Sequence, residues 1–217
     1  MIKILLATRN PGKVAEIRAM LDFDVEWVGL SDFPNINEIK EDGKTFAENA
    51  RKKAVGYAKQ AGLWTIADDS GLVIDAIGGE PGVKSARFSG AKEKNRTLLD
   101  HKNMSKVLKL LEGVPKENGS TSSPSRAKSR ERTARFVCHL CLASPEKILI
   151  ETEGRFEGLI AEKEVGENGF GYDPIFFVPN LNKTVAQLTR EEKNAISHRG
   201  NAIRKLRPQL DKLLQAV

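Results

Sequence analysis

Residues 2–21 read IKILLATRNPGKVAEIRAML. A short apolar run, Ile2 to Ala7, gives way to a polar loop, Thr8 to Lys13, and then to Val14, Ile17 and Leu21 at helical spacing. Strand, tight loop, helix is the opening unit of an α/β fold. A helix N-terminus presents unpaired backbone N–H groups and the positive end of its dipole. A loop placed there with a hydroxyl, an amide and a lysine is therefore suited to phosphate. The common triphosphate loop is a different pattern, because Val14 stands where Ser or Thr would reach a magnesium ion. A plain Pro-Gly turn between two core elements accounts for the same residues equally well, so the rest of the chain has to decide.

With 217 residues, the chain is long enough to bury one sizeable core, and a single domain spanning 1–217 is expected. Hydrophobic residues make up 40% and charged residues 29%, and no apolar run approaches the ~18 residues of a membrane span, so a soluble protein without a membrane partner is predicted. The first apolar run ends at Ala7, too early for a secretory signal, which predicts a cytoplasmic location. Cys138 and Cys141 lie in a strand-like run, Phe136 to Ala143, where their spacing puts them on opposite faces; buried thiols, not zinc or redox chemistry, are expected.

The formal charge of +6 is unevenly spread, since residues 116–132 hold five cations against two anions. That segment is serine-rich and almost devoid of apolar residues, so it reads as a flexible basic insertion that cannot repay the entropy of ordering. No aromatic residues interleave with its cations to stack bases, and no nucleic-acid partner is expected.

Further along, Val25 to Leu30 reads as a strand, and Thr45-x-x-Glu48 as a capping box opening a second helix. On that helix Phe46, Asn49, Ala50, Lys53, Ala54, Tyr57 and Ala61 share one stripe, so Lys53 faces inward. An inward lysine implies either a buried ion pair or the edge of an anionic ligand site. Trp64 to Ala67 reads as a strand ending in Asp68-Asp69-Ser70-Gly71, and Leu72 to Ile77 as the next. A helix through Leu98 to Leu111 precedes the insertion. It is followed by a strand, Arg135 to Ala143, and by Lys147 to Thr152 and Arg155 to Ile160, which read as a hairpin. Ile175 to Val178 reads as a strand, Thr189-x-x-Glu192 as another capping box, and Ile203 to Leu214 as a closing helix kinked or restarted at Pro208. Strands interspersed with helices plus a hairpin predict an α/β fold with a mixed sheet.

Because strand residues alternate faces, only one of Asp68 and Asp69 can serve a given cleft. Carboxylates are ligands that magnesium prefers, and Glu41 and Asp42 supply further candidates. Gly169-Phe170-Gly171-Tyr172-Asp173 can bring an aromatic ring to a purine face, and Arg199, a pure donor, suits a 6-oxo group and mismatches a 6-amino group.

The segments ATRNPGK at 7–13, EDGKTFAENA at 41–50, ADDSGLVIDAIGGEPGVKSARFSG at 67–90, GFGYDPIFFVP at 169–179 and LTREEKNAISHRG at 188–200 together resemble the inosine/xanthosine triphosphate pyrophosphatase family. The resemblance implies hydrolysis of ITP, dITP and XTP to the monophosphate and pyrophosphate. It also implies Mg2+ dependence, a homodimer, and an elongated mixed sheet flanked by helices in two lobes with a central cleft. Carried over residue by residue, Asp69 would be the catalytic base and, with Glu41, a metal ligand. The loop Thr8, Arg9, Asn10, Pro11, Gly12 and Lys13, together with Lys53 and Ser70, would bind the phosphates and their surroundings. Phe170, Gly171, Tyr172, Asp173, Lys193, His198 and Arg199 would bind the purine and its neighbourhood. Arg9 and Lys84 depart from the family's usual residues, and neither coincides with the implied metal ligands.

Overall fold

Strand β1 (Lys3–Leu6) pairs in parallel with β2 (Glu26–Gly29) on one side and with β3 (Trp64–Ile74) on the other. These directions follow from the connections: α1 (Pro11–Met20) returns the chain from β1 to β2, and α2 (Phe46–Ala61) from β2 to β3. The computed structural model describes residues 1–114 and 132–216 and contains seven strands in the order β2-β1-β3-β4-β5-β6-β7. Here β4 is Thr133–Ala143, β5 Ile148–Ile160, β6 Phe176–Val178 and β7 Lys183–Thr184. The β5–β6 and β6–β7 pairs are antiparallel, so the sheet is mixed, as the sequence predicts.

The chain divides into two compact units: Met1–Ser70 with Val137–Arg155 and Asn194–Val217, and Gly71–Phe136 with Phe156–Lys193. In the first, strand alternation sorts the core into two layers. Ile4, Leu6, Ile66, Cys138 and Leu140 pack with Ile17 and Leu21 of α1 and with Ile203, Leu206 and Leu210 of α5 (His198–Gln215). Leu5, Ala7, Ala67, Cys141 and Ala143 face the small residues Ala50, Ala54 and Ala58 of α2. The two cysteines thus lie on opposite faces, and burial pushes both thiols up to about 12, so they stay protonated. The second unit contains α3 (Arg96–Leu110), the first half of α4 (Arg190–Ile196) and an aromatic cluster in which Phe136 stacks on Phe176 at 4.4 Å between centroids.

Helix termini follow the sequence signals. Thr45 Oγ1 accepts from Glu48 N–H at 3.1 Å, although the Glu48 carboxylate turns to Lys44 N–H and leaves the capping box half made. At Thr189 and Glu192 both reciprocal bonds form, at 2.8 and 3.2 Å. The last helix runs unbroken from His198 to Gln215 with Pro208 inside it.

The structure corrects two strand expectations. Asp68-Asp69-Ser70-Gly71 does not separate two strands, because β3 continues through it to Ile74. The expected hairpin at 147–160 is one strand, β5, with Gly154 in its interior. Glycine serves there for close approach: a Cβ would meet the His198 carbonyl oxygen at 2.1 Å and the Ala202 nitrogen at 2.4 Å, so α5 lies against bare strand backbone. The basic insertion at 116–132 lies outside the described residues except at its end. There Arg132 is a buried anchor, donating to the carbonyls of Leu111, Val114 and Ala161 at 2.9–3.0 Å. Among the described residues no helix is long and apolar enough to cross a membrane.

Candidate active site

The Thr8–Lys13 loop ends β1 and opens α1. Asn10 is the N-cap, with its side-chain oxygen accepting from Gly12 N–H at 2.9 Å and Lys13 N–H at 3.4 Å, and Pro11 occupies the first helical position. Thr8 Oγ1 accepts from Asn10 N–H at 3.2 Å. The carbonyl half of the Asn10 amide is thus turned into the helix, and its NH2 half points away from it. Arg9 and Pro11 are exposed on the outer side of this loop.

Since β3 stays extended through both aspartates, they project to opposite faces, and each makes its own close ion pairs. Asp68 is 1% exposed and lies 2.8 Å from Lys13 Nζ and 3.2 Å from Arg199 Nη2, and it accepts from Ser70 Oγ at 3.0 Å. Burial alone would raise its pKa, but Lys13 and Arg199 outweigh burial and hold the carboxyl well below the usual carboxylate range. Asp68 is therefore a fixed anion.

Asp69 faces α2. Its Oδ2 accepts from Asn49 Nδ2 at 3.0 Å, and its Oδ1 lies 3.6 Å from Lys53 Nζ, which is 3.2 Å from Glu41 Oε2. Burial dominates and lifts its pKa to about 6 against the pull of Lys53, Asn49 and Lys13. The inward Lys53 predicted from helical projection is real: it is buried, and burial's penalty on its charge is exceeded by Asp68, Asp69 and Glu41, which raise its pKa.

The two aspartates have opposite consequences for stability. Asp69 has a folded-state pKa of about 6 against an ordinary 3.8, so between these values the folded protein binds more protons than the unfolded chain. The ionised Asp69 therefore costs stability, and the cost disappears as pH falls through 6 toward 4. The depressed Asp68 acts the other way, its contribution being lost only in stronger acid. We expect the metal-free Asp69→Asn protein to exceed wild type in stability at pH 7.5 by about 3 kcal/mol at most, and the gap to shrink to about a third of that by pH 4.5. Urea unfolding of both proteins at the two pH values measures this; a gap independent of pH would contradict the assignment.

Arg199 and His198 open α5, where Ser197 Oγ caps the helix by accepting from Gly200 N–H at 3.1 Å. The structure places Arg199 differently from the expectation of an open donor face. It is 1% exposed, with Nη1 on the Glu16 carboxylate and Nη2 on Asp68 and on Ser70 Oγ, the latter at 2.9 Å. Both terminal nitrogens are engaged beside the phosphate loop, because a guanidinium buried on this scale requires anions, while its Nε–H has no hydrogen-bond partner among the described residues. His198 is buried beside it.

In the second unit, Lys193 Nζ pairs with Asp173 Oδ2 at 2.7 Å and sits 4.5 Å from the centre of the Phe170 ring. Asp173 also accepts from Phe170 N–H at 2.9 Å, and Gly171 N–H donates to Asp100 at 3.0 Å. Gly169 has φ 81°, and a Cβ on it would meet Asp173 Oδ2 at 2.0 Å, so only glycine fits. Tyr172 is buried and spends its hydroxyl on the Ser85 carbonyl at 2.8 Å, leaving Phe170, half-buried, as the ring with a free edge to offer.

Glu41, Lys53, Asp69 and Ser70, together with Lys13 and the loop, are therefore brought together in the first unit, and Phe170, Gly171, Tyr172, Asp173 and Lys193 in the second. Sequence reading missed Glu16, Asn49 and Asp68 as participants. The signals were present: Glu16 follows Lys13 by three residues on one helical face, and Asn49 shares the inward stripe with Lys53.

The model of the Ham1 family matches residues 4–209. A dITP/XTP pyrophosphatase of Listeria monocytogenes is 44% identical over 218 aligned residues, covering 100% of this chain and 98% of its own. One from an Exiguobacterium species is 46% identical, covering 96% and 97%. Among solved structures, a HAM1 protein from Coxiella burnetii superposes with a TM-score of 0.81 at 40% identity, covering 98% of this chain and 100% of its own. A nucleoside-triphosphatase / dITP/XTP pyrophosphatase from Mycobacterium abscessus gives 0.72 at 42% identity, covering 95% and 100%. A family model that matches residues 4–209, together with relatives at 40% identity or more along nearly the whole length, has one reading: the chain belongs to the Ham1 family.

Proposed function

We propose that the protein hydrolyses the non-standard purine nucleoside triphosphates ITP, dITP and XTP to the monophosphate and pyrophosphate, clearing them from the nucleotide pool. The observation that carries this reading is Asp69, a buried carboxylate with its pKa lifted to about 6, set against Lys53 and within the field of Lys13 from the Thr8–Lys13 loop. In this reading Asp69 takes the proton from the water that attacks the α-phosphorus, while Lys13 and Lys53 stabilise charge on the departing pyrophosphate. Thr8 to Lys13 hold the phosphate chain, and Ser70, anchored between Asp68 and Arg199, lines the same site. Phe170 to Asp173, Lys193 and His198 contact the purine and its surroundings.

A magnesium ion suits this donor set. Glu41 and Asp69 both lie within 3.6 Å of Lys53 Nζ, so two carboxylates converge on one point of the site. Two carboxylates plus substrate phosphate is a usual magnesium environment, and among the described residues no larger cluster of His, Cys, Asp or Glu competes. Glu41 and Asp69 would hold the ion, which would supply a Lewis acid for phosphoryl oxygen.

The proposal extends to a cytoplasmic homodimer, checked by sedimentation of the purified protein. Substrate class is tested by following pyrophosphate from ITP, dITP, XTP, GTP and ATP in parallel with Mg2+ and with chelator. Donors matched to a 6-oxo group predict at least about 10²-fold preference for dITP over ATP in kcat/KM, and no turnover with chelator. Equal rates on ATP and dITP would overturn the substrate reading.

A further inference from the structure

Asn49 is 1% exposed on the inward stripe of α2, and its amide has both ends committed. Its Oδ1 accepts from Gly43 N–H at 2.8 Å, and its Nδ2 donates to Asp69 Oδ2 at 3.0 Å. The backbone donor fixes which end is the carbonyl, because an N–H can be met only by an acceptor. The NH2 group is thereby aimed at Asp69 and has no second orientation that satisfies both partners.

Two consequences follow for the carboxylate. Its Oδ2 is tied to Asn49, so Oδ1 is the oxygen left facing Lys53. The Gly43 contact also pins the turn that carries Glu41, two residues upstream, to the same amide. The turn has no slack: a Cβ on Gly43 would meet Asn49 Oδ1 at 2.6 Å and Glu48 Cβ at 2.8 Å.

We propose that Asn49 is a positioning residue, whose single amide sets the orientation of the Asp69 carboxylate and locks it in register with the Glu41–Gly43 turn. The proposal rests on Asp69 acting as the base in triphosphate hydrolysis. A group that orients a reacting carboxylate through one hydrogen bond is worth about 10 to 100-fold in turnover and little in substrate binding.

The test is steady-state hydrolysis of dITP with Mg2+ by Asn49→Ala, Asn49→Asp, Gly43→Ala, Asp69→Asn and the double variant Asn49→Ala/Asp69→Asn. Asn49→Asp keeps the acceptor for Gly43 N–H and so preserves the turn if the alanine variant folds poorly. Expected are a 10 to 100-fold fall in kcat for both Asn49 variants with KM within about 2-fold, and a fall in the same direction for Gly43→Ala. In the Asp69→Asn background, Asn49→Ala should add nothing, since there is no base left to orient. A full multiplicative loss in the double variant, or a loss appearing in KM alone, would make Asn49 merely structural and overturn the proposal. Undiminished kcat in the Asn49 single variants, with Asp69→Asn inactive, would overturn it while sparing Asp69. An active Asp69→Asn protein would instead sink the base assignment itself.

Discussion

Asp69→Asn is expected to lower kcat on dITP by about 10³-fold while KM changes by only a few-fold. Asparagine preserves the volume of the side chain and the apolar packing of α2 over it, although its single carbonyl oxygen can accept from Asn49 or from Lys53 and not from both. What disappears is the ability to accept a proton from the attacking water. The size follows from that single loss: positioned general bases are typically worth 10² to 10⁴, and 10³ corresponds to about 4 kcal/mol of transition-state stabilisation. A fall in kcat/KM carried by KM would point to a phosphate-holding role. A variant retaining wild-type kcat would remove Asp69 from the chemistry. The environment explains why this aspartate, and not Asp68, is suited to the work. Asp68 lies against Lys13 and Arg199 and has a pKa pushed far down, which makes it a poor proton acceptor. Asp69, lifted to about 6, remains ionised near neutrality yet basic enough to take a proton.

The division of labour between neighbouring aspartates was only half legible in the sequence. Alternation along a strand requires them to face opposite ways, and the structure has them doing so, Asp68 toward α1 and α5 and Asp69 toward α2. Residue pattern alone could not choose between them, because the choice depends on which helix brings an amide and which brings a guanidinium to each face. Those partners are 20 and 131 residues away in the chain. Lys53 was readable because a local rule, helical projection, settles its direction, and burial of a lysine is unusual enough to point at anions.

Gly154 shows the opposite limit. Between two strand-like runs, glycine reads locally as a turn, and a hairpin at 147–160 follows from that rule. Its role is tertiary: it bares the backbone of β5 so that the start of α5 can sit against it, bringing Ser197, His198 and Arg199 to the sheet. The same helix start hides Arg199. Sequence chemistry rates arginine by its free donors, whereas here both terminal nitrogens are engaged by Glu16 and Asp68 from elements at the far end of the chain.

That placement makes Arg199→Ala primarily a stability variant. Truncation leaves Glu16 and Asp68 buried with one cation fewer, although Lys13 remains on Asp68. Breaking a buried pair by removing one partner typically costs about 3–5 kcal/mol, which in a chain of this size lowers the unfolding midpoint by roughly 10 °C or more. Replacing both members together, as Glu16→Leu/Arg199→Leu, should cost less than the sum of the single changes, because the stranded charge is removed with its partner. If instead Arg199 were free to serve the purine, truncation would cost under about 1 kcal/mol and the double variant would be additive. Base reading is a separate readout on the folded fraction: a narrowed preference for ITP over ATP would give Arg199 a second role, requiring it to leave Asp68 or Glu16 when substrate arrives. An unchanged ratio with a lowered midpoint would assign it wholly to the ion network, and the 6-oxo donor would then have to come from another residue.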